Sequence, residues 1–188
     1  IDTGVLEKQL MSEVTPSTNQ QYGYQYRNLN DPNVFYDENQ KRMIQNYRTA
    51  FLRLALYYSQ SSQNDKANAS LARMEKLFPR NVVPMDWRLY PELRSFYRRL
   101  NNSAMADIYT NDLEKECLRQ IENNQIEDFS GYYSPYRQLL DIYNEKNEIQ
   151  KALDILHSMD RMRPGDKNIA TQIKMYESRL TTKDTSKK

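Results

Sequence analysis

The sequence predicts an all-α fold: a solenoid of about three helical hairpins closed by a C-terminal capping helix. Three observations predict it. Only four glycines occur in 188 residues, among long charged–apolar alternations, which favours helices over strands and turns. Apolar residues recur at steps of three and four, the signature of one helical face. One phrase is also written twice: "NDKANASLARMEKLFP" ends at Pro79 and "NEIQKALDILHSMDRMRP" at Pro164. Each holds a Lys-Ala pair, an apolar residue four positions after the alanine and a proline twelve positions after it.

The elements follow in order. "TGVLEKQLMSEV" reads as a short helix, and the stretch after it carries Tyr22, Tyr24, Tyr26, Phe35 and Tyr36 without a sustained period. From Asp37 to Ser61, Met43, Ile44, Tyr47, Ala50, Phe51, Leu54, Ala55 and Tyr58 fall on one face of a helix. Asp37 caps it, with Gln40 three residues on completing a capping box. The polar run "SQSSQND" breaks it, and a second helix turns Ala67, Leu71 and Met74 inward until Pro79 stops it. The last pair repeats the plan. Ser134 caps and Pro135 takes the first helical position. Tyr136, Leu139, Leu140 and Tyr143 form one face, and Ala152, Ile155, Leu156 and Met159 form the facing one after the "EKNE" turn.

Between these pairs lies a degenerate unit. Leu93, Phe96, Tyr97 and Leu100 share one helix that Pro91 opens, and Ala106, Tyr109, Leu113 and Leu118 share the next. The alanine spacings are 39 residues from Ala67 to Ala106 and 46 from Ala106 to Ala152, so extra turns are expected in "RNVVPMDW" and "NNQIEDFSGYY". After Pro164-Gly165, Asp166 starts a helix with Ile169, Ile173, Tyr176 and Leu180 inward, a solvating cap of the kind arrays need. The expected organisation is a helix and aromatic lead-in over 1–36, hairpins over 37–182 and a disordered tail over 183–188.

Hairpins with a period of about 34 residues resemble the tetratricopeptide repeat. The first unit matches that motif at Phe51, Leu54, Ala55, Tyr58, Ala67, Leu71, Met74 and Pro79. The last matches it at Tyr136, Leu139, Leu140, Tyr143, Ala152, Leu156, Met159 and Pro164. Met74 and Met159 stand where the motif has Ala, and Leu140 where it has Gly or Ala. A second resemblance lies in "YRNLNDPNVFYDENQKRMIQNYRTAFLRLA", through Asn30, Asp31, Pro32, Tyr36, Asp37, Glu38, Asn39, Arg42 and Met43, and in "KLFPRNVVPMDW". It is similar to the start of the C-terminal soluble region of bacterial multi-pass membrane proteins related to protein O-mannosyltransferases of the GT-C type. That resemblance implies a membrane-anchored parent with this domain on the extracytoplasmic, periplasmic side. The chain opens with Ile1 rather than Met and reads as an excised piece of such a parent. The parent's catalytic acidic residues belong to a membrane part not present here, and no apolar run approaches the roughly 20 residues that span a bilayer, so no direct membrane insertion by this fragment is expected.

The residue inventory argues against catalysis by this chain, and no cofactor or metal is expected. There is one histidine, His157, and one cysteine, Cys117, so neither a His pair nor a thiol cluster can form within it. Cys117 reads as a small buried residue and Asp112, Glu114 and Glu116 as a solvated helix face. Net charge is only +2, which points to no nucleic-acid partner. The expected role is a protein-interaction or scaffold domain binding a protein or peptide segment, the parent's membrane domain included. In tetratricopeptide arrays the first helix of each hairpin lines the groove. Carried onto this sequence, that groove is Leu52, Leu56 and Ser59, with Thr49 and Gln60; then Arg88, Ser95, Arg98 and Arg99; then Arg137, Asp141 and Asn144, with Glu145. The alternative is nucleic-acid binding through Arg88, Arg94, Arg98 and Arg99 beside Trp87, Tyr90 and Tyr97.

Overall fold

The computed structural model describes residues 2–13, 23–126 and 129–185. Among them every regular element is helical: α1 (Thr3–Met11), α2 (Glu38–Gln60), α3 (Asn64–Leu77), α4 (Leu89–Arg99), α5 (Ser103–Glu122), α6 (Pro135–Glu145), α7 (Ile149–Met162) and α8 (Lys167–Thr185). The chain divides into two compact units. The first holds Ile1–Asp86 with Ser95–Ser103, the second Trp87–Arg94 with Ala104–Lys188. Tyr22 and residues 186–188 of the expected tail lie outside the described residues, while α8 runs on to Thr185.

In the first unit α2 begins as its sequence dictates. The Asp37 carboxylate accepts from the Gln40 amide N–H at 2.8 Å, and the Gln40 side chain accepts from the Asp37 N–H at 2.9 Å. Ile44, Phe51, Leu54, Ala55 and Tyr58 are buried against α3, which supplies Ala67, Leu71 and Met74. Met43, expected inward, is 61% exposed. It lies about 100° around the helix from Ile44, at the margin of the buried arc. Arg48, by contrast, is in the core. Its guanidinium donates to the carbonyls of Phe78 (2.8 Å), Val83 and Pro84 (3.2 Å), and to the Gln45 side chain (3.0 Å). Gln45 also donates to Pro84. These bonds pin the irregular link after α3 onto α2 and bring Val83 and Met85 into the core.

The N-terminal segment covers this hairpin. Asp2 caps α1 by accepting from Gly4 and Val5. At the other end, Arg73 of α3 donates to the Leu10 and Ser12 carbonyls, both at 2.8 Å, which satisfies acceptors that a helix end leaves open. Leu10 is fully buried and Glu7 faces Lys66 at 3.9 Å. The Tyr26 ring sits 5.5 Å from Tyr47 and 5.2 Å from Phe78, edge-on to both, and Tyr24 meets Tyr47 at 5.3 Å. Tyr26 is thus half-buried against the hairpin, while Tyr24, 40% exposed, lies on its margin and Phe35, 85% exposed, stands outside it.

In the second unit, α6 starts at Pro135 with Ser134 as its cap residue, although the Ser134 hydroxyl donates to the Phe129 carbonyl (2.6 Å) and not to the helix. Leu139, Ile142 and Tyr143 pack with Ile149, Ala152, Leu153 and Leu156 of α7 and with Leu113 and Cys117 of α5. On α5 the inward residue is Cys117; Leu118, expected inward, is exposed. A step of five from Leu113 lands far around the helix, whereas a step of four stays on its face. α4 starts at Leu89, so Pro91 lies in its first turn and does not open it. Asp166 accepts from the Asn168 and Ile169 amides to cap α8, whose Tyr176 is buried.

The repeated phrase is matched by a repeated helix end. After α2, α4, α5 and α6 one residue takes a left-handed conformation: Ser62 (φ 58°), Asn101 (φ 58°), Asn124 (φ 53°) and Asn147 (φ 54°). The next residue's N–H reaches back to a carbonyl five positions earlier: Gln63 to Tyr58, Asn102 to Tyr97, Gln125 to Gln120 and Glu148 to Tyr143, all at 2.8–2.9 Å. Three of the four turns use Asn, which tolerates that conformation. Three of the carbonyls belong to tyrosines, and each of these is followed at one common spacing by Ala67, Ala106 or Ala152, all buried.

Candidate ligand-binding cleft

The groove residues read from the sequence fall in both units. In the first, Leu56 is 44% exposed, Leu52 and Ser59 are half-buried, and Ser95, Arg98 and Arg99 are exposed, with the Arg99 guanidinium 5.3 Å from the Phe96 ring. In the second, Arg137 and Asp141 are exposed on α6. Partial burial raises the Asp141 carboxyl, Arg137 opposes that and Glu145 adds to it. Asn144 is committed elsewhere: its side-chain oxygen accepts from the Tyr176 hydroxyl (2.6 Å) and the Arg179 guanidinium (3.3 Å) of α8. Arg88 is half-buried, its guanidinium 5.7 Å over the Trp87 ring.

The basic–aromatic cluster is not one surface feature. Arg94 is buried, donates to the Thr110 hydroxyl (2.9 Å) and pairs with Glu145. Tyr97 is buried as well. Both are spent on packing rather than held out for a phosphate.

The second unit contains a cleft of about 720 Å³ lined by Trp87, Arg88, Glu116, Arg119, Gln120, Asn124, Gln125, Ile126, Tyr133 and Pro135. Trp87 and Arg88 come from the link just before α4, and three further local structures complete it. The last turns of α5 present Glu116, Arg119 and Gln120; the left-handed turn at Asn124 swings Gln125 and Ile126 around the helix end; Tyr133 and Pro135 come from the approach to α6. That approach is fixed by Gln138, which donates to the Tyr132 carbonyl at 2.5 Å. Tyr132 and Tyr133 stack edge-on at 4.9 Å.

Glu116 is the hub of the cleft wall. It accepts from Arg119 Nε (2.9 Å), Arg119 Nη2 (2.6 Å) and Gln120 Nε2 (3.1 Å). Arg119 also donates to the Gln125 side-chain oxygen (3.1 Å). The hydrogen bonds from Arg119 hold the Glu116 carboxyl below its ordinary range against the opposing pull of burial. Asp112, Glu114 and Glu116, whose spacing sets them partly on different sides of the helix and predicts solvated carboxylates, are each half-buried. Glu114 pairs with Lys146 at 2.5 Å and Glu116 with Arg119. The sequence signal for the wall was modest: a Glu–Arg pair three apart and the polar "NNQ" that ends α5.

Cys117, behind this wall, is buried, and burial pushes its thiol up to about 12. His157 is half-buried on α7. Among the described residues no group of three His, Cys, Asp or Glu side chains could hold a metal ion, and no helix is long and apolar enough to cross a membrane. Compared with family models, with curated proteins and with solved structures, the chain matches none.

Proposed function

We propose that this chain is a non-catalytic protein-interaction domain of tetratricopeptide-like hairpins that holds an extended segment of a partner protein. The observation that carries the reading is the cleft of the second unit, whose volume of about 720 Å³ falls in the range of ligand sites. Its wall is hydrogen-bonded in place before any ligand arrives. The exposed Leu56, Arg98 and Arg99 offer further contact surface on the first unit. A nucleic-acid reading is weaker because Arg94 and Tyr97 are packed inward. By the resemblance at Asn30–Pro32 and Tyr36–Met43, the parent is a membrane protein of the O-mannosyltransferase-like type, and the partner segment belongs to its membrane domain or to a protein on the extracytoplasmic side.

The test is a peptide array probed with the wild-type chain and with Arg98→Glu/Arg99→Glu. Reproducible capture of peptides supports the reading. Capture of nucleic acid that falls steeply with salt, with no peptide retained, contradicts it. Placement is tested by reporter fusions at the native C-terminus, which should be active outside the cytoplasm.

A further inference from the structure

We propose that the second unit's cleft reads the main chain of an extended peptide, through the side-chain amides of Gln120, Asn124 and Gln125, with Glu116 as the positioning residue. The inference rests on the protein-interaction reading and names the chemistry of its ligand.

A peptide main chain offers alternating N–H donors and C=O acceptors. A side-chain amide has one of each and matches either. The Glu116–Arg119 pair uses one side of each glutamine: Gln120 donates its Nε2 to Glu116, and Gln125 accepts from Arg119 through its oxygen. This fixes which atom each glutamine has left to offer. Gln120 keeps its carbonyl oxygen as an acceptor for a ligand N–H. Gln125 keeps its Nε2 as a donor for a ligand carbonyl. The two are therefore oriented in opposite polarity, and the side chain of Asn124 stands beside them on the rim.

Other ligand classes fit less well. An anion would look to Arg119, but that guanidinium is held along its Nε–Nη2 edge by Glu116 and gives Nη1 to Gln125. An amphipathic helix needs an apolar groove, and six of the ten lining residues are charged or carry amides. Tyr133 at the mouth gives one ligand side chain a ring to lie on.

Trp87 is the only tryptophan in the chain, so its fluorescence reports on the cleft. The full chain is titrated to about millimolar with a capped, unstructured octapeptide of glycine and serine with one central tyrosine. The same octapeptide N-methylated at alternate residues and a linear glucose hexasaccharide serve as comparisons. The expected result is a saturable change in Trp87 emission with the plain peptide, with binding about tenfold weaker for the N-methylated form, as the loss of one or two hydrogen bonds requires. Glu116→Gln and Gln125→Ala should each weaken binding by about tenfold with the melting curve unchanged. Gln125 is on the rim, so its variant keeps the test open if Glu116→Gln unfolds the helix end. Equal affinity for the N-methylated peptide, a response to the hexasaccharide instead, or no response to any probe overturns the proposal. If array peptides bind with Trp87 emission unmoved, the interaction reading stands and the cleft assignment fails. If none binds anywhere, both fail.

Discussion

Arg48→Met separates a guanidinium that holds the link after α3 from one merely tolerated in the core. Arg48 is 2% exposed, and methionine keeps the volume and apolar stem while removing the donors. The Phe78 and Val83 carbonyls, both buried acceptors of Arg48, then lose their partner. Each buried, unsatisfied acceptor costs about 1–3 kcal/mol. The variant in turn no longer desolvates a cation, which returns part of that sum. The net expectation is a loss of about 2–4 kcal/mol. At about 2–4 °C per kcal/mol for a chain of this size, the melting point falls by roughly 4–16 °C. Thermal and urea unfolding followed by far-ultraviolet circular dichroism measure it. Arg48→Lys should also destabilise, because one ammonium cannot reproduce the fork that spans Phe78, Val83 and Pro84. If Arg48→Met is as stable as the parent chain or more so, the guanidinium is not what fastens the link and the reasoning is refuted.

Four further outcomes are expected. Asp37→Ala removes the capping box of α2 and should lower stability by about 1 kcal/mol in urea titration. Ala67→Trp and Ala152→Trp overfill fully buried sites and should each cost about 1–3 kcal/mol or more, visible as lower melting points. The Cys117 thiol should resist a thiol reagent near neutral pH in the folded chain and react at once in denaturant, since burial both shields it and pushes it up to about 12. Burial raises the Tyr26, Tyr58, Tyr97 and Tyr143 hydroxyls above the usual tyrosine value, with Glu7 adding at Tyr58 and Glu114 at Tyr143. Above about pH 10 the unfolded chain has lost tyrosine protons that the folded chain keeps. Stability is therefore full below that pH and declines as it rises, and absorbance titration should show a group of tyrosines ionising only as the helix signal is lost.

Much of the fold was legible because its determinants are local. The Asp37–Gln40 box, Pro135 at the start of α6 and the inward Ala67, Leu71, Ala152 and Leu156 each depend on a few neighbouring residues. Arg48 escaped because its acceptors lie at Phe78, Val83 and Pro84, some thirty residues on, and no apolar periodicity marks a charged core residue. Leu118 has the hydrophobicity of an inward residue but not the helical phase, which belongs to Cys117, expected buried and found so. The cleft is assembled from Trp87, the end of α5 and the approach to α6, so its walls are distant in sequence. Of its lining, the sequence reading singles out Arg88 as a groove residue and Trp87 in the basic–aromatic cluster, but not the α5 wall. The polar turns were visible as breaks, but their shared left-handed residue and backward hydrogen bond are properties of the folded backbone.

Amide hydrogen exchange of the full chain, with and without the tyrosine-bearing octapeptide, tests most directly where a partner segment is held. Added peptide should slow exchange at the end of α5, around Glu116–Gln120 and Asn124–Gln125, and on the approach to α6 at Tyr133. Slowing confined to α2 near Leu52–Ser59, or to α4 near Ser95–Arg99, with α5 unchanged, would contradict the assignment of the second unit's cleft as the binding site.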